Sequence, residues 1–426
     1  MDQAIYQNHL NILKSELTVA LGCTEPIAIA YVAARAKVVL EADPVSCVVR
    51  CSGNIIKNVM GVTVPNSGGQ RGVDVAAVLG IVGGDPDKEL AVLQSITQEH
   101  IDRAKVLLSK GFCRCKLVEN VENLYIQVLL TDAAGNTAQV EAQEYHSNIT
   151  QIIKNGRPLL SREEHTRSTG QSEEDKGLLS IQNILEFADC VRMEDIKDII
   201  GRQIDYNTAI SKEGLRGRYG VQAGQTLMAN GGHKDLRIRA RAAAAAGSDA
   251  RMSGCPLPVV INSGSGNQGI TVTLPVVEYA KAHQIGKEGL CRALVAANLI
   301  SVHQKKYIGS LSAYCGAVSA ACGAAAGIAY MLGESYEVIC DTITNTIATI
   351  GGMVCDGAKS SCAAKIAVAV DCALSSLEIA KAGHVFQPGE GMVKGNVEET
   401  IRSVGRMGRV GMHSTDVEIL NIMLER

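Results

Sequence analysis

The sequence predicts an α+β fold in which a mainly helical domain is joined to a smaller α+β domain. Three observations carry this. Short β-rich runs are confined to the stretch after Asp43-Pro44, and nearly everything from Gly177 onward has helical character. Between them, SREEHTRSTGQSEEDK (161–176) is polar, charged and without apolar periodicity. At 426 residues the chain is long for a single core, so about two or three domains are expected.

The elements follow in order. Residues 3–21 and 24–41 read as two helices broken at Gly22-Cys23. PVSCVVRCS, GFCRCKLV, NLYIQVLL and NTAQVEAQEY read as strands, with helical stretches at Val73–Leu79 and Asp87–Leu108 between them. Helices are expected at 235–246, 287–303, 311–332, 334–348 and 363–381. The first two helices share the character of the C-terminal half. The division is therefore 1–43 with 177–426 as the helical domain, 44–160 as an inserted α+β domain, and 161–176 as linker or exposed loop.

Bulk properties narrow the function. The formal net charge is -3, and no Lys/Arg run is interleaved with aromatics, so neither nucleic acid nor an acidic membrane surface is implied. Small molecules become the default partner. MDQAIYQNHLNILKSELTVAL fits an amphipathic helix rather than a secretory apolar region, so a cytoplasmic location is expected. Leu311–Leu332 carries no charge, but its Ala, Gly, Ser and Cys gain little from lipid, so it reads as a buried helix. With 43 Gly, 3 Phe and no Trp, the core is expected to bring backbones close together; a homo-oligomer is compatible with this composition.

Fourteen cysteines in a chain expected to stay in a reducing compartment point to metal or catalytic chemistry rather than to disulfides. Cys315 and Cys322 are seven apart with no helix breaker between them, about 10 Å along a straight helix, so one of the two is a core residue. Cys355 and Cys362 are also seven apart, but Gly351, Gly352, Asp356 and Gly357 allow a loop to fold both onto one centre. With one cysteine from the 315 segment they would make three thiolate ligands, and three thiolates on a [4Fe–4S] cube leave one iron open. Inert packing is the alternative, since free cysteine is among the most buried residue types. Cys47, Cys51, Cys113 and Cys115 fall in expected strands, and Cys190, Cys291, Cys340 and Cys372 in expected helices; all are assigned to the core. Zinc is disfavoured because its paired C-x2-C signature is absent. Cys23 stands before a helix start marked by Thr24, Glu25 and Pro26, where amides and the macrodipole favour an anion. Base, nucleophile, metal ligand and buried capping thiol all fit that position.

Two stretches resemble anion cradles: VPNSGGQRG, with Asn66, Ser67 and Gly68, and INSGSGNQG, with Asn262, Ser263, Asn267 and Gln268. Gly permits close backbone approach, and Asn, Ser and Gln supply neutral hydrogen bonds suited to a carboxylate. CSGN, with Ser52 and Asn54, precedes a short helix and could donate amides to the same ligand. Ordinary turn chemistry is the alternative for each. His233 and Lys234 are acid–base candidates without a partner visible in sequence.

LGCTEP, SGNIIKNV, VPNSGG, NGGHKDLR, SGSGNQG and GGMVCDGAKSSC together resemble the L-cysteine desulfidase family, related to the α-chain of iron–sulfur L-serine dehydratases. The resemblance covers essentially the whole chain for the desulfidases and mainly the C-terminal half for the dehydratases. It implies an oxygen-sensitive [4Fe–4S] lyase, independent of pyridoxal phosphate, that converts the amino acid L-cysteine to pyruvate, ammonia and sulfide. It implies Cys315 and Cys355 as cluster ligands with Cys362 as the third, although this chain's spacing between the last two is shorter than the dehydratases'. Cys23 becomes base or displaceable fourth ligand, and the helical domain the catalytic one. L-serine dehydratase activity is the close alternative, and a non-catalytic amino-acid or cluster binding protein is the alternative of another class.

Overall fold

A computed structural model describes residues 1–161, 174–309 and 311–425. The stretch expected as a linker, 161–176, lies mostly outside the described residues.

The fold is α+β and mainly helical. In chain order it runs α1 (Gln3–Glu16), β1 (Val19–Leu21), α2 (Thr24–Leu40), β2 (Pro44–Cys51), α3 (Gly53–Met60), α4 (Val73–Gly83), α5 (Gln98–Ser109), β3 (Cys113–Leu117), β4 (Tyr125–Asp132), β5 (Thr137–Gln143), β6 (Ile149–Lys154) and β7 (Arg157–Leu160). There follow α6 (Ile181–Cys190), α7 (Met193–Arg216), α8 (Ala223–Leu227), α9 (Leu236–Met252), β8 (Pro258–Val260) and α10 (Gly266–Ala282). The chain ends with α11 (Lys287–Ile308), α12 (Gly316–Met331), α13 (Tyr336–Ile350), α14 (Ser361–Lys381), α15 (Val397–Arg406) and α16 (His413–Met423).

One mixed sheet has the order β3-β2-β4-β5-β6-β7, with β2 and β3 parallel and the remaining pairs antiparallel. Its last hairpin turns at Asn155-Gly156, both with positive φ, the turn that matches the twist of flanking strands. The pair β6–β7 was not anticipated, although Asn-Gly between apolar runs is a hairpin signal in its own right.

The segment 1–43 divides between the two layers. Helix α1 packs on α6, α7 and α11, whereas α2 lies against α4, β4 and β5. Residues 19–21 leave the expected helix to pair antiparallel with β8, which ties the chain start to the helical layer. Helix α12 is the centre of that layer, in contact with α10, α11, α13 and α14. Its small residues have a packing reason: a Cβ on Gly323 would stand 2.4 Å from the Ala297 carbonyl oxygen, and one on Gly327 would stand 2.7 Å from the Ala297 Cβ. No helix among the described residues is long and apolar enough to cross a membrane.

Candidate functional site

Three cysteines at helix starts and a fourth in a loop meet around one cavity. Cys23 is the residue before α2, Cys315 the residue before α12, and Cys362 lies in the first turn of α14. Unpaired amides and the macrodipole at these ends favour a thiolate. Cys355 lies in the loop between α13 and α14. The helix expected from 311 begins only at Gly316, because the preceding residues pair with that loop. Tyr314 bridges Val354, Cys315 N–H donates to the Met353 carbonyl at 2.9 Å, and Cys355 N–H donates to the Ala313 carbonyl at 2.6 Å. These bonds bring Cys315 and Cys355 together. Gly357, at φ +93°, continues the turn where a Cβ would lie 2.4 Å from the Lys57 carbonyl oxygen.

The cavity has a volume of about 100 Å³ and is lined by Cys23, Cys315, Cys355 and Cys362 together with Asn267 and Gln268. Cys322 is fully buried away from it, its thiol toward the Ile343 carbonyl. Cys315 and Cys355 share a hydrogen bond. That bond, with the charges of Lys57 and Lys365, outweighs burial and holds Cys355 below the ordinary thiol range, while Cys315 is pushed up. Burial raises Cys362. Among the described residues no group of three or more His, Cys, Asp or Glu side chains converges as a single metal ion would require.

Cys23 is 1% exposed and donates to Glu25 Oε2 at 3.0 Å. Burial, then the Glu25 charge, push its thiol well up, with the Arg251 charge acting the other way. Burial alone would raise Glu25, but His146, whose Nε2 stands 3.9 Å from Oε1, the hydrogen bond from Cys23 and the Arg251 charge bring it down to about 2. Glu25 also accepts from Thr24 Oγ1 at 3.2 Å and from Asn58 Nδ2 at 3.2 Å.

The remaining expected residues separate. Asn267 and Gln268 reach the cavity from the first turn of α10, where Ser265 Oγ caps by accepting Gln268 N–H. Asn262 is buried behind them, donating to Asn298, while Ser263 lines an adjoining cavity of about 320 Å³. Asn66 donates to the Leu93 carbonyl, and Ser67 exchanges hydrogen bonds with Gln70, so neither these nor Gly68 line the cysteine cavity. Their loop instead supports Cys23, since a Cβ on Gly22 would fall 2.2 Å from Pro65 Cγ. Ser52 and Asn54 line a separate cavity of about 360 Å³ beside α16, with Ser52 Oγ donating to the Asn123 carbonyl. The same short helix serves the cysteine site through Asn58, bound to Glu25, and Lys57, whose ammonium meets the Cys355 carbonyl at 3.4 Å and Asp416. His233 and Lys234 are exposed and line none of these cavities.

Sequence reasoning missed Glu25, Asn58, Arg251, Lys305 and Tyr314, all of which line the cavity. A signal existed for Arg251, a charge closing the helix AAAAAGSDARM, and for Glu25 inside the LGCTEP turn.

Comparison with known proteins bears on this geometry. A model of the family described as serine dehydratase alpha chain matches residues 87–421, which include Arg251, Asn267, Gln268, Cys315, Cys355 and Cys362. A UPF0597 protein of Lachnoclostridium phytofermentans is 49% identical over 420 residues, covering 99% of this chain and 100% of the relative. One from Desulfitobacterium hafniense is 47% identical over 422 residues, covering 99% and 97%. Another, from Treponema denticola, is 43% identical over 429 residues, covering 100% and 99%. These matches also span the segment with Cys23, which precedes the family match.

Proposed function

We propose, on the premise that this chain belongs to the serine dehydratase alpha chain family, that it is an iron–sulfur lyase removing sulfide from L-cysteine by β-elimination. The observation that carries the reading is the convergence of Cys23, Cys315, Cys355 and Cys362 with Asn267 and Gln268 on one cavity.

The donor set fits a cluster. Three thiols from separate backbone segments face a common space, two of them already in contact, and cysteine thiolate is the ligand such clusters take. Lys57 and Lys365 supply positive charge beside Cys355, which offsets that of ligating thiolates. Cys315, Cys355 and Cys362 would hold a [4Fe–4S] cluster, which when bound supplies an open iron as Lewis acid.

The chain's own residues do the rest. Asn267 and Gln268 hold the amino acid against the wall formed by the start of α10. Cys23 handles the α-proton: as thiolate, its own proton having left the site, it accepts the substrate's, and the thiol so formed donates to the Glu25 carboxylate across 3.0 Å. Asn58 and His146 hold Glu25 in place for that bond. Loss of the α-proton and of the β-sulfur as sulfide leaves aminoacrylate, which tautomerises and takes up water to give pyruvate and ammonia.

Iron is a better partner for sulfur than for a hydroxyl, which favours L-cysteine. L-serine dehydration is the second reading, because the matching family is named for it. Anaerobic reconstitution with iron and sulfide, followed by assay of pyruvate and sulfide, tests both. Equal pyruvate and sulfide from L-cysteine, lost in air, is the expected result. Faster pyruvate formation from L-serine would move the substrate, and iron uptake without pyruvate from either would overturn the lyase reading.

A further inference from the structure

Two cations line the cysteine cavity, and they address different walls. Lys305 acts electrostatically on Cys355 and Cys315, whereas Arg251 acts on Cys23 and Glu25. Arg251 is 2% exposed, and its Nε has no hydrogen-bond partner. Its Nη1 donates to Asn267 Oδ1 at 3.2 Å, and among the described residues no carboxylate stands in ion-pair contact with it. Glu25, whose charge it feels, is already held by Cys23, Thr24 and Asn58.

An arginine cannot shed its charge on burial, and an uncompensated buried cation is costly. The site is nevertheless built around this one. A Cβ on Gly266 would lie 2.2 Å from Arg251 Nε, so glycine at the start of α10 leaves the guanidinium its place. Beside it, Gln268 is 5% exposed with an unpartnered Oε1, and both residues line the cavity. A buried cation with open donors, next to the amides of a helix start, is complementary to a small anion. The neighbouring unpartnered amide oxygen and the Glu25 carboxylate are complementary to an ammonium.

We propose that Arg251 is the receptor for the α-carboxylate of the amino-acid substrate, with Gln268 and Glu25 facing its ammonium. The proposal rests on the reading of this cavity as an amino-acid lyase site. It makes a free carboxylate obligatory: cysteamine and L-cysteine methyl ester carry the thiol and the amine but leave the guanidinium unpaired.

Pyruvate, which keeps only the carboxylate and a keto group, is the probe. Titration calorimetry of pyruvate into the full-length chain, before and after iron reconstitution, is expected to show binding that Arg251→Gln weakens roughly tenfold to hundredfold, the range for losing hydrogen bonds to a charged group. Arg251→Lys, which keeps the charge but not the planar fork, should fall between. Gly266→Ala displaces the guanidinium without removing it and should also weaken binding, which keeps the test available if Arg251→Gln does not fold. Pyruvate affinity within twofold of wild type in both Arg251→Lys and Gly266→Ala, or no pyruvate binding by wild type, overturns the receptor. Arg251-dependent pyruvate binding in a protein that turns over neither L-cysteine nor L-serine would leave the receptor standing and remove the lyase reading. Turnover of L-cysteine with cysteamine accepted equally well would do the reverse.

Discussion

Two groups of cysteines among the described residues bring thiols together, and the one that holds Cys315 and Cys355 lines a cavity. On the parallel strands β2 and β3, Cys47 stands opposite Cys113, and the pairs Cys47 with Cys113 and Cys51 with Cys115 share hydrogen bonds. In the helical layer, Cys315 and Cys355 do the same. The difference lies in what surrounds them. Contact with its partner thiol and burial hold Cys47 up, burial does the same for Cys51, and the charge that acts on Cys115 from outside the group is the carboxylate of Asp74. The cavity group has Lys57 and Lys365 acting on Cys355, helix starts beneath Cys315 and Cys362, and open space between the sulfurs. Closeness of thiols is common to both groups; positive charge and room set the cavity group apart, and on the proposed reading these mark the ligand set.

The largest effect expected from this contrast is on iron. Cys355→Ser should lower the iron retained after anaerobic reconstitution by roughly tenfold or more, since even supporting residues around a metal are worth that much. Cys51→Ser and Cys322→Ser should retain wild-type iron. Iron and acid-labile sulfide, measured on all three proteins after gel filtration, decide it. Equal loss in Cys51→Ser would break the comparison, because it would place ligands in the sheet.

A second effect is on stability. Lys57 is 1% exposed and paired with Asp416, whose side chain is 13% exposed. Lys57→Met strands that carboxylate and frees the loop bearing Cys355, at a cost of about 3–5 kcal/mol for breaking a buried pair. Lys116→Met, at an exposed position beside the sheet thiols, should change stability by less than about 0.5 kcal/mol. Urea unfolding of both gives the sharper version of the contrast. Similar midpoints would mean that the cation at the cavity is not structurally committed.

Much of this was legible beforehand, and the parts that were not share a physical cause. Composition and periodicity indicated the small-residue packing of α12 and the mainly helical α+β class, because both are local properties. The start of α12 was not legible: LSAYC, from 311 to 315, has no helix breaker, and pairing with a loop some forty residues later keeps Tyr314 and Cys315 out of the helix. The two N-S-G turns are alike in sequence yet differ in outcome, since one closes on Leu93 and Gln70 while the other begins α10 at the cavity wall. SGNIIKNV drew attention to Ser52 and Asn54, but a helix turns by about 100° per residue, and it is Lys57 that reaches the Cys355 carbonyl and Asn58 that reaches Glu25. Arg251 and Lys305 were passed over because a charge in a helix ordinarily faces water, and burial is a tertiary fact.

The smallest effect concerns reactivity in the reduced, iron-free chain. Thiolate is the reacting form, so a group held below the ordinary thiol range alkylates faster at neutral pH and slows as acid protonates it. Cys355 is held down by its bond from Cys315 and by lysine charge, and Cys115, which is exposed, is held down by its bond from Cys51. Both should take iodoacetamide at pH 7 before Cys51 and Cys23, which burial pushes up, and both should slow towards pH 5. Reconstitution with iron should then protect Cys355 and leave Cys115 open, as peptide mass mapping of the labelled chains would read. If Cys355 reacts no faster than Cys51 at pH 7, the lysines do not outweigh its burial, and space alone would separate the two groups. If iron protects Cys115 as well, the sheet thiols belong to the metal-binding chemistry, and the contrast between the groups is lost.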